Sequence, residues 1–226
     1  HRLTTVVLDK TGTVTNGKPV LTDVLLTDGF SETDVLALVG SAEKQSEHPL
    51  AEAMVEGIKE KGIALDNPSS FQAIPGYGIE ATVNNQNILV GTRRLLAQNN
   101  IDFEQATQQM NDLESEGKTA MLIAIDGQYV GIIAVADTVK ETSKAAIKRL
   151  KDLGLEVVMI TGDNERTAQA IAAEVGIDHV IAEVLPEGKA EEIKKLQAQG
   201  KNVAMVGDGI NDAPALATAN IGMAIG

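Results

Sequence analysis

Apolar residues recur along this chain in two different rhythms. Thr4–Leu8 (TTVVL) is a short β-branched run that stops at Asp9 and gives way to a glycine-containing turn. From about residue 131 onward the pattern is regular. Ile132–Ala136 predicts a strand, and Lys140–Leu153 a helix with Ala146, Ile147, Leu150 and Leu153 at helical spacing. Glu156–Ile160 predicts a strand running into Thr161–Gly162–Asp163. A helix follows with Ala168, Ile171, Ala172 and Val175 on one face and Gly176 as its stop. Val180–Ile181 reads as a brief strand, Glu187–Gln199 as a helix, Asn202–Val206 as a strand ending in Gly207–Asp208, and Ile221–Ile225 as a last strand. Such alternation predicts an α/β fold, a parallel sheet with helices on both faces.

Between about Val20 and Asp126 the rhythm changes. Two helices are predicted first, Glu32–Ala42 with Ser31 as N-cap and Pro49–Lys61. Strands follow at Phe71–Ile74, Ile79–Val83 and Asn87–Val90, with a hairpin tip at Asn84–Asn85–Gln86. Helical patterns at Arg93–Asn99 and Phe103–Glu116 lead to a strand at Ala120–Ile125. This reads as an α+β block inserted after the first strand of the α/β part. The crossings near Thr15–Leu21 and Asp126–Gly131 would then act as a double hinge.

Composition narrows the function classes. Hydrophobic residues make up 43% of the 226 positions, enough for a real core, whereas aromatics are 2% and Trp is absent. The core must therefore rest on Val, Ile, Leu and Ala, as suits buried parallel strands. A net charge of −13 argues against a nucleic-acid surface. With no cysteine, disulfides, thiol catalysis and thiolate metal sites are excluded. No apolar run reaches the roughly 18 residues of a membrane span. A start at His1–Arg2–Leu3, without Met and so close to a strand, points to a piece of a longer chain.

Candidate chemistry sits in loops that follow strands of the α/β part. Ligands of open parallel sheets bind beyond the carboxyl ends of the strands, so Asp9–Thr13, Thr161–Asp163 and Gly207–Asp212 should converge. Lys189 can join them from the helix that begins at Pro186. A carboxylate such as Asp9 can attack the γ-phosphorus of ATP once phosphate charge is neutralised. Asp208 and Asp212 add hard oxygens suited to Mg2+. Lys189 would neutralise charge on the phosphoryl oxygens, and Thr161 with the Gly162 N–H would hydrogen-bond them. Taken singly, each of these residues is a turn, a cap or a solvated helix position; their combination points to phosphoryl transfer.

DKTGT, TGDN and GDGINDAPAL, in that order and each after a strand, resemble the signatures of P-type ATPases, whose catalytic domain is haloacid-dehalogenase-like. The resemblance covers essentially the whole chain. It implies a discontinuous, Rossmann-like phosphorylation domain (residues 1–20 and 127–226) and an inserted α+β nucleotide-binding domain (21–126). It further implies that Asp9 is phosphorylated by ATP, that Asp9, the Thr11 carbonyl and Asp208 hold Mg2+, and that Asn211 and Asp212 support the site. Thr161 and Lys189 match the superfamily's phosphate-binding Thr and Lys. Soluble phosphatases of the superfamily usually carry a second Asp where this chain has Thr11. Without that carboxylate a phosphoenzyme should persist until something else triggers water attack, a delay that a pump needs.

SEHPL (Ser46–Leu50) and GYGIE (Gly76–Glu80) resemble the heavy-metal-transporting subgroup. There the equivalents of Glu43, His48, Gly76, Gly78, Ile79 and Gly91 line the adenine pocket; the chain departs from the family at Thr92, where Asn is common. The ending ALATANIGMAIG resembles copper(I) exporters more than zinc or cadmium transporters, which often have Met at the position of Leu216. Zinc or cadmium transport and a soluble phosphatase remain the alternatives. The resemblance also implies cytosolic domains of an integral membrane protein, soluble as a fragment. Their partners would be the transmembrane and actuator domains of the same chain, and the transported ion would bind elsewhere. Two look-alikes are set aside. Gly117–Lys118–Thr119 lacks the upstream glycine of a P-loop, and Gly76–Ala81 precedes a strand where a dinucleotide motif needs a helix. Asp137 either caps the Lys140 helix or lies near the hinge and phosphate site.

Overall fold

The computed structural model describes residues 2–225 and shows two compact units, one running to Lys18 and resuming at Asp137, the other Pro19–Ala136. The first unit opens with β1 (Thr5–Asp9). The second comprises β2 (Val20–Leu26), α1 (Glu32–Glu43), α2 (Pro49–Glu60), β3 (Ser70–Ile74), β4 (Gly78–Val83), β5 (Gln86–Gly91), α3 (Arg93–Gln98), α4 (Thr107–Ser115), β6 (Thr119–Ile125) and β7 (Gln128–Ala136). The first unit then resumes with α5 (Ser143–Asp152), β8 (Glu156–Ile160), α6 (Glu165–Val175), β9 (His179–Ile181), α7 (Lys189–Ala198), β10 (Val203–Gly207), α8 (Ala213–Thr218) and β11 (Ile221–Ala224).

In the first unit β1 is the middle strand of a five-stranded parallel sheet ordered β11-β10-β1-β8-β9. Successive side chains of β1 point to opposite faces. Val6 and Leu8 pack with Ile147 of α5 and Ile171 of α6, while Val7 packs with Ile193 of α7 and Ala215 of α8. With both faces covered, every residue of β1 is buried, and so its middle, Val6 to Leu8, is unbroken apolar sequence. The chain continues from β1 to β8 and β9 on one side and later to β10 and β11 on the other. The carboxyl ends of β1 and β10 therefore border the switch point of the sheet.

The second unit is a six-stranded antiparallel sheet ordered β2-β7-β6-β5-β4-β3. Along β6, Met121, Ile123 and Ile125 face the core shared with α1 and α2. Ala120, Leu122 and Ala124 face the core shared with α3 and α4. Ser31 caps α1 by accepting from the Asp34 N–H. Asn84 and Asn85 form the expected hairpin tip, both at positive φ (50° and 62°).

Two expectations need correction. The strand at Ile132–Ala136 exists, but it is part of β7 and pairs antiparallel with β6 and β2 rather than joining the parallel sheet. Residues 126–131 hold no crossing. Asp126 (φ 48°) and Gly127 (φ 79°) are the two-residue turn of the β6–β7 hairpin. Seven consecutive buried residues of β7 lie in a sheet covered on both faces, so its apolar run looks the same as a parallel strand's. The division at 20/21 and 126/127 thus moves to 18/19 and 136/137. Strand β2 went unpredicted because Asp23 interrupts its apolar run, where the pairing with β7 shifts register.

Candidate active site

Three neighbouring strands of the parallel sheet carry the expected residues past their carboxyl ends. Asp9 ends β1, Thr161 follows β8, and Asp208 follows β10, with Asp9 in register with Ile160 on β8 and Leu8 with Val206 on β10. Lys189 is the first residue of α7. Its Nζ donates to Asp9 Oδ1 (3.0 Å) and Asp212 Oδ1 (2.9 Å), all three side chains being nearly or fully buried.

One ammonium here faces two carboxylates. Burial pushes the Asp9 carboxyl up to about 7 against the pull of Lys189. Burial also opposes the charge on Asp212, but hydrogen bonds from Asp9 and Lys189 and from the Asp208 N–H hold it below the usual carboxylate range. Lys189 is likewise raised: desolvation works against its charge, and Asp9 and Asp212 outweigh it.

The GDGIND loop is shaped by the Asp212 carboxylate. Its Oδ2 accepts from the Asp208 N–H at 2.7 Å and lies so close to Gly207 that a Cβ there would sit 2.4 Å away. Asp208 Oδ1 turns into its own loop, accepting from the N–H groups of Ile210 (2.7 Å) and Asn211 (3.1 Å). Asn211 reaches Asp208 Oδ2 only weakly, at 3.5 Å. On the β8 side, Thr161 Oγ1 accepts from the Asp163 N–H at 3.1 Å, leaving the hydroxyl proton free to donate.

Three residues emerge that the motifs alone did not assign. Lys10, buried directly after Asp9, pairs with Asp163 across to the β8 loop. Its carbonyl accepts from the Thr15 N–H (2.9 Å), closing the Lys10–Val14 turn in which Gly12 takes φ 82°. Asp137 does not cap α5, whose N-cap is Thr142. It accepts from Thr15 Oγ1 (2.6 Å) and from the N–H groups of Gly17 (3.0 Å) and Lys18 (3.2 Å). Lys10 and Asp163 were visible in the motifs, but only the register of β1 beside β8 brings them together.

The donor set fits Mg2+. Two carboxylates on adjacent strand ends, Asp9 and Asp208, and the Thr11 carbonyl are hard oxygens. The described residues hold no cluster of three or more His, Cys, Asp or Glu side chains able to hold a metal ion.

In the second unit Gly78 and Gly91 pair across β4 and β5. A Cβ on Gly78 would come within 2.2 Å of the Val90 oxygen, and one on Gly91 within 2.1 Å of the Tyr77 oxygen, so both positions demand glycine for backbone packing alone. Gly76 (φ 80°) is the third residue of the Ile74–Tyr77 turn, closed by the Tyr77 N–H to Ile74 oxygen bond. Ile79 is buried in the same core as Ala42 of α1. Glu43, the last residue of α1, is buried with 4% of its surface exposed, and desolvation raises its carboxyl to about 8. His48 is exposed and caps α2, its Nδ1 accepting from the Leu50 N–H at 3.2 Å. Lys118 of the P-loop look-alike pairs with Asp23 at 2.9 Å, and Gly117 ends the turn after α4.

A family model for haloacid dehalogenase-like hydrolases matches residues 3–220. The chain is 58% identical over 226 residues to a copper-exporting P-type ATPase of Bacillus subtilis (strain 168), and 57% identical over 227 residues to one of Staphylococcus aureus (strain JH9). Each alignment covers 100% of this chain and 28% of the relative, so the chain spans about a quarter of their length. Among solved structures, a zinc-transporting PIB-type ATPase in the E2.Pi state matches with TM-score 0.64 at 40% identity, over 99% of this chain and 36% of the other. The catalytic domain of the CPx-ATPase CopB-B, from a study of conformational changes on nucleotide binding, matches with TM-score 0.74 at 27% identity over 97% and 76%. No helix among the described residues is long and apolar enough to cross a membrane.

Proposed function

The chain belongs to the haloacid dehalogenase-like hydrolases, and from that premise we propose that it is the phosphorylation and nucleotide-binding part of a heavy-metal-exporting P-type ATPase. The observation that carries the reading is Lys189 held between Asp9 and Asp212 at the carboxyl end of the central parallel strand. The unit holding Asp9 is the phosphorylation domain and Pro19–Ala136 the nucleotide-binding domain.

ATP is the phosphoryl donor. An Asp9 oxygen forms a bond to the γ-phosphorus as the bond from that phosphorus to the β–γ bridging oxygen breaks, and ADP leaves with the electron pair. Water later attacks the same phosphorus, releasing inorganic phosphate and restoring the carboxylate. Asp9, Asp208 and the Thr11 carbonyl would hold Mg2+, which would supply positive charge to the phosphoryl oxygens. Lys189 neutralises charge on the equatorial oxygens, Thr161 and the Gly162 N–H donate to them, and Asn211 and Asp212 keep the loop in place. Thr11 offers no carboxylate to activate water, so the acyl phosphate waits for a group from elsewhere in the full-length protein. Glu43, His48, Gly76, Gly78, Ile79 and Gly91 receive the adenine and ribose. Copper is the proposed cargo because the copper-exporting relatives share 57–58% identity and the zinc-transporting structure 40%.

The test is labelling of the full-length protein with γ-labelled ATP and Mg2+, followed by an acid quench. Acid-stable, hydroxylamine-sensitive label is expected in the wild type and none in Asp9→Asn. Label that survives the substitution assigns the nucleophile elsewhere.

A further inference from the structure

Lys10 stands beside the nucleophile, and its ammonium would be expected to face the incoming phosphoryl group. It does not. The residue is 7% exposed, and its Nζ is paired with Asp163, 153 positions away and only two beyond Thr161. Strand β1 lies directly beside β8, so this pair bridges the two loops that leave their carboxyl ends. Both partners are fixed through their main chains as well. The Lys10 carbonyl accepts from the Thr15 N–H, and the Asp163 carbonyl from the Glu183 N–H (2.8 Å). The Asp163 N–H holds the Thr161 hydroxyl oxygen.

We infer that Lys10 and Asp163 are positioning residues for phosphoryl transfer: their buried ion pair fixes the Thr161–Gly162 loop relative to Asp9, and Lys10 acts through Asp163, not on the phosphoryl group. The inference rests on the phosphorylation reading above. Its physical basis is that neither partner can move alone. Withdrawing Asp163 deprives the buried Lys10 ammonium of this carboxylate, and withdrawing Lys10 removes the bridge between the two loops, so that either loss lets the β8 loop rearrange. Misplacing a phosphate-binding hydroxyl by about 1 Å is enough to lower transfer by roughly 100-fold.

The experiment uses beryllofluoride with Mg2+, a mimic of the acyl phosphate, bound to this chain and followed by 19F NMR. ATP-induced amide shifts around Gly76–Gly78 report the second unit separately. Lys10→Met and Asp163→Asn should each weaken beryllofluoride binding by roughly tenfold or more, leave the ATP-induced shifts in place, and differ from Lys10→Arg, which keeps the charge and restores binding. Unfolding of the whole chain would remove both signals, and the recovery in Lys10→Arg is what a loss of the first unit's packing alone would not give. Where a single variant fails to fold, Lys10→Met with Asp163→Leu leaves no buried charge and is the variant to read; weakened beryllofluoride binding supports the inference. Wild-type affinity in Asp163→Asn or in that double variant overturns it, as does Lys10→Arg behaving like Lys10→Met. A folded wild-type chain that gives no bound 19F signal overturns the phosphorylation reading and the inference together.

Discussion

Asp137 accepts a 2.6 Å hydrogen bond from Thr15, joining the segment that leaves the first unit to the segment that re-enters it. The same carboxylate takes the N–H groups of Gly17 and Lys18, and Thr15 is fully buried. Three donors converging on one side chain make it an anchor for the first crossing. Asp137→Ala leaves them without their acceptor and should cost about 1–3 kcal/mol of stability, measured by urea unfolding. Hydrogen exchange at Gly17 and Lys18 should accelerate with it, and Asp137→Asn, which retains one acceptor oxygen, should do less on both counts.

Glu43 makes stability fall as pH rises. Desolvation lifts its folded carboxyl from the ordinary 4.5 to about 8. Between those values the folded state binds the proton that the unfolded state has lost. The contribution is thus fully present below about pH 4.5 and disappears as pH climbs through 8. Unfolding at pH 5 and pH 8.5 should show a loss on the order of a few kcal/mol in the wild type and a flatter profile in Glu43→Gln. The amide also offers a donor and an acceptor, as the neutral acid does, so Glu43→Gln should keep ATP binding and Glu43→Ala should lose it.

His48 carries two roles that substitutions can separate. Its Nδ1 is the N-cap acceptor of α2, and the proposed adenine contact belongs to the same ring. His48→Ala removes both and should cost about 1 kcal/mol of stability as well as nucleotide affinity. His48→Asn restores a cap and should restore thermal stability without restoring the affinity. Calorimetric titration with ATP beside thermal unfolding checks both halves; recovery of affinity in His48→Asn would assign the whole effect to the helix cap.

The parallel-sheet half was legible because β1, β8 and β10 are short, largely apolar and each followed by a loop bearing chemistry. Asp9, Thr161 and Asp208 could be placed together from that pattern alone. The β6–β7 hairpin was not read, although Asp126–Gly127 is a strong turn signal, because the apolar run of β7 fits a parallel strand equally well. At the site itself, sequence brought Asp9, Lys189 and Asp212 to one place and missed the pairing of Lys10 with Asp163. A residue's direction at a strand end depends on the turn that follows, here one closed by Thr15 and bent at Gly12. The glycines at 78 and 91 illustrate the converse: a motif reading assigns them to a ligand, whereas contacts with their own backbone neighbours already forbid any side chain.

Lys189 decides whether two carboxylates can share this site. Its Nζ lies 3.0 Å from Asp9 and 2.9 Å from Asp212, and the Asp212 side chain is wholly buried. Replacing it by Met leaves like charges facing each other without a counter-ion. At pH 8 the loss should be about 3–5 kcal/mol. It should shrink at pH 5, where proton uptake by the folded state relieves the repulsion, so the variant's stability falls with rising pH more steeply than the wild type's. Adding Asp212→Asn to Lys189→Met removes one of the charges and should recover most of the stability. It cannot return the cation that phosphoryl transfer needs, so labelling from γ-labelled ATP should stay roughly 100-fold or more below wild type. Urea unfolding at the two pH values together with the labelling rate separates these effects. If the double variant regained both stability and labelling, Lys189 would be serving the fold alone.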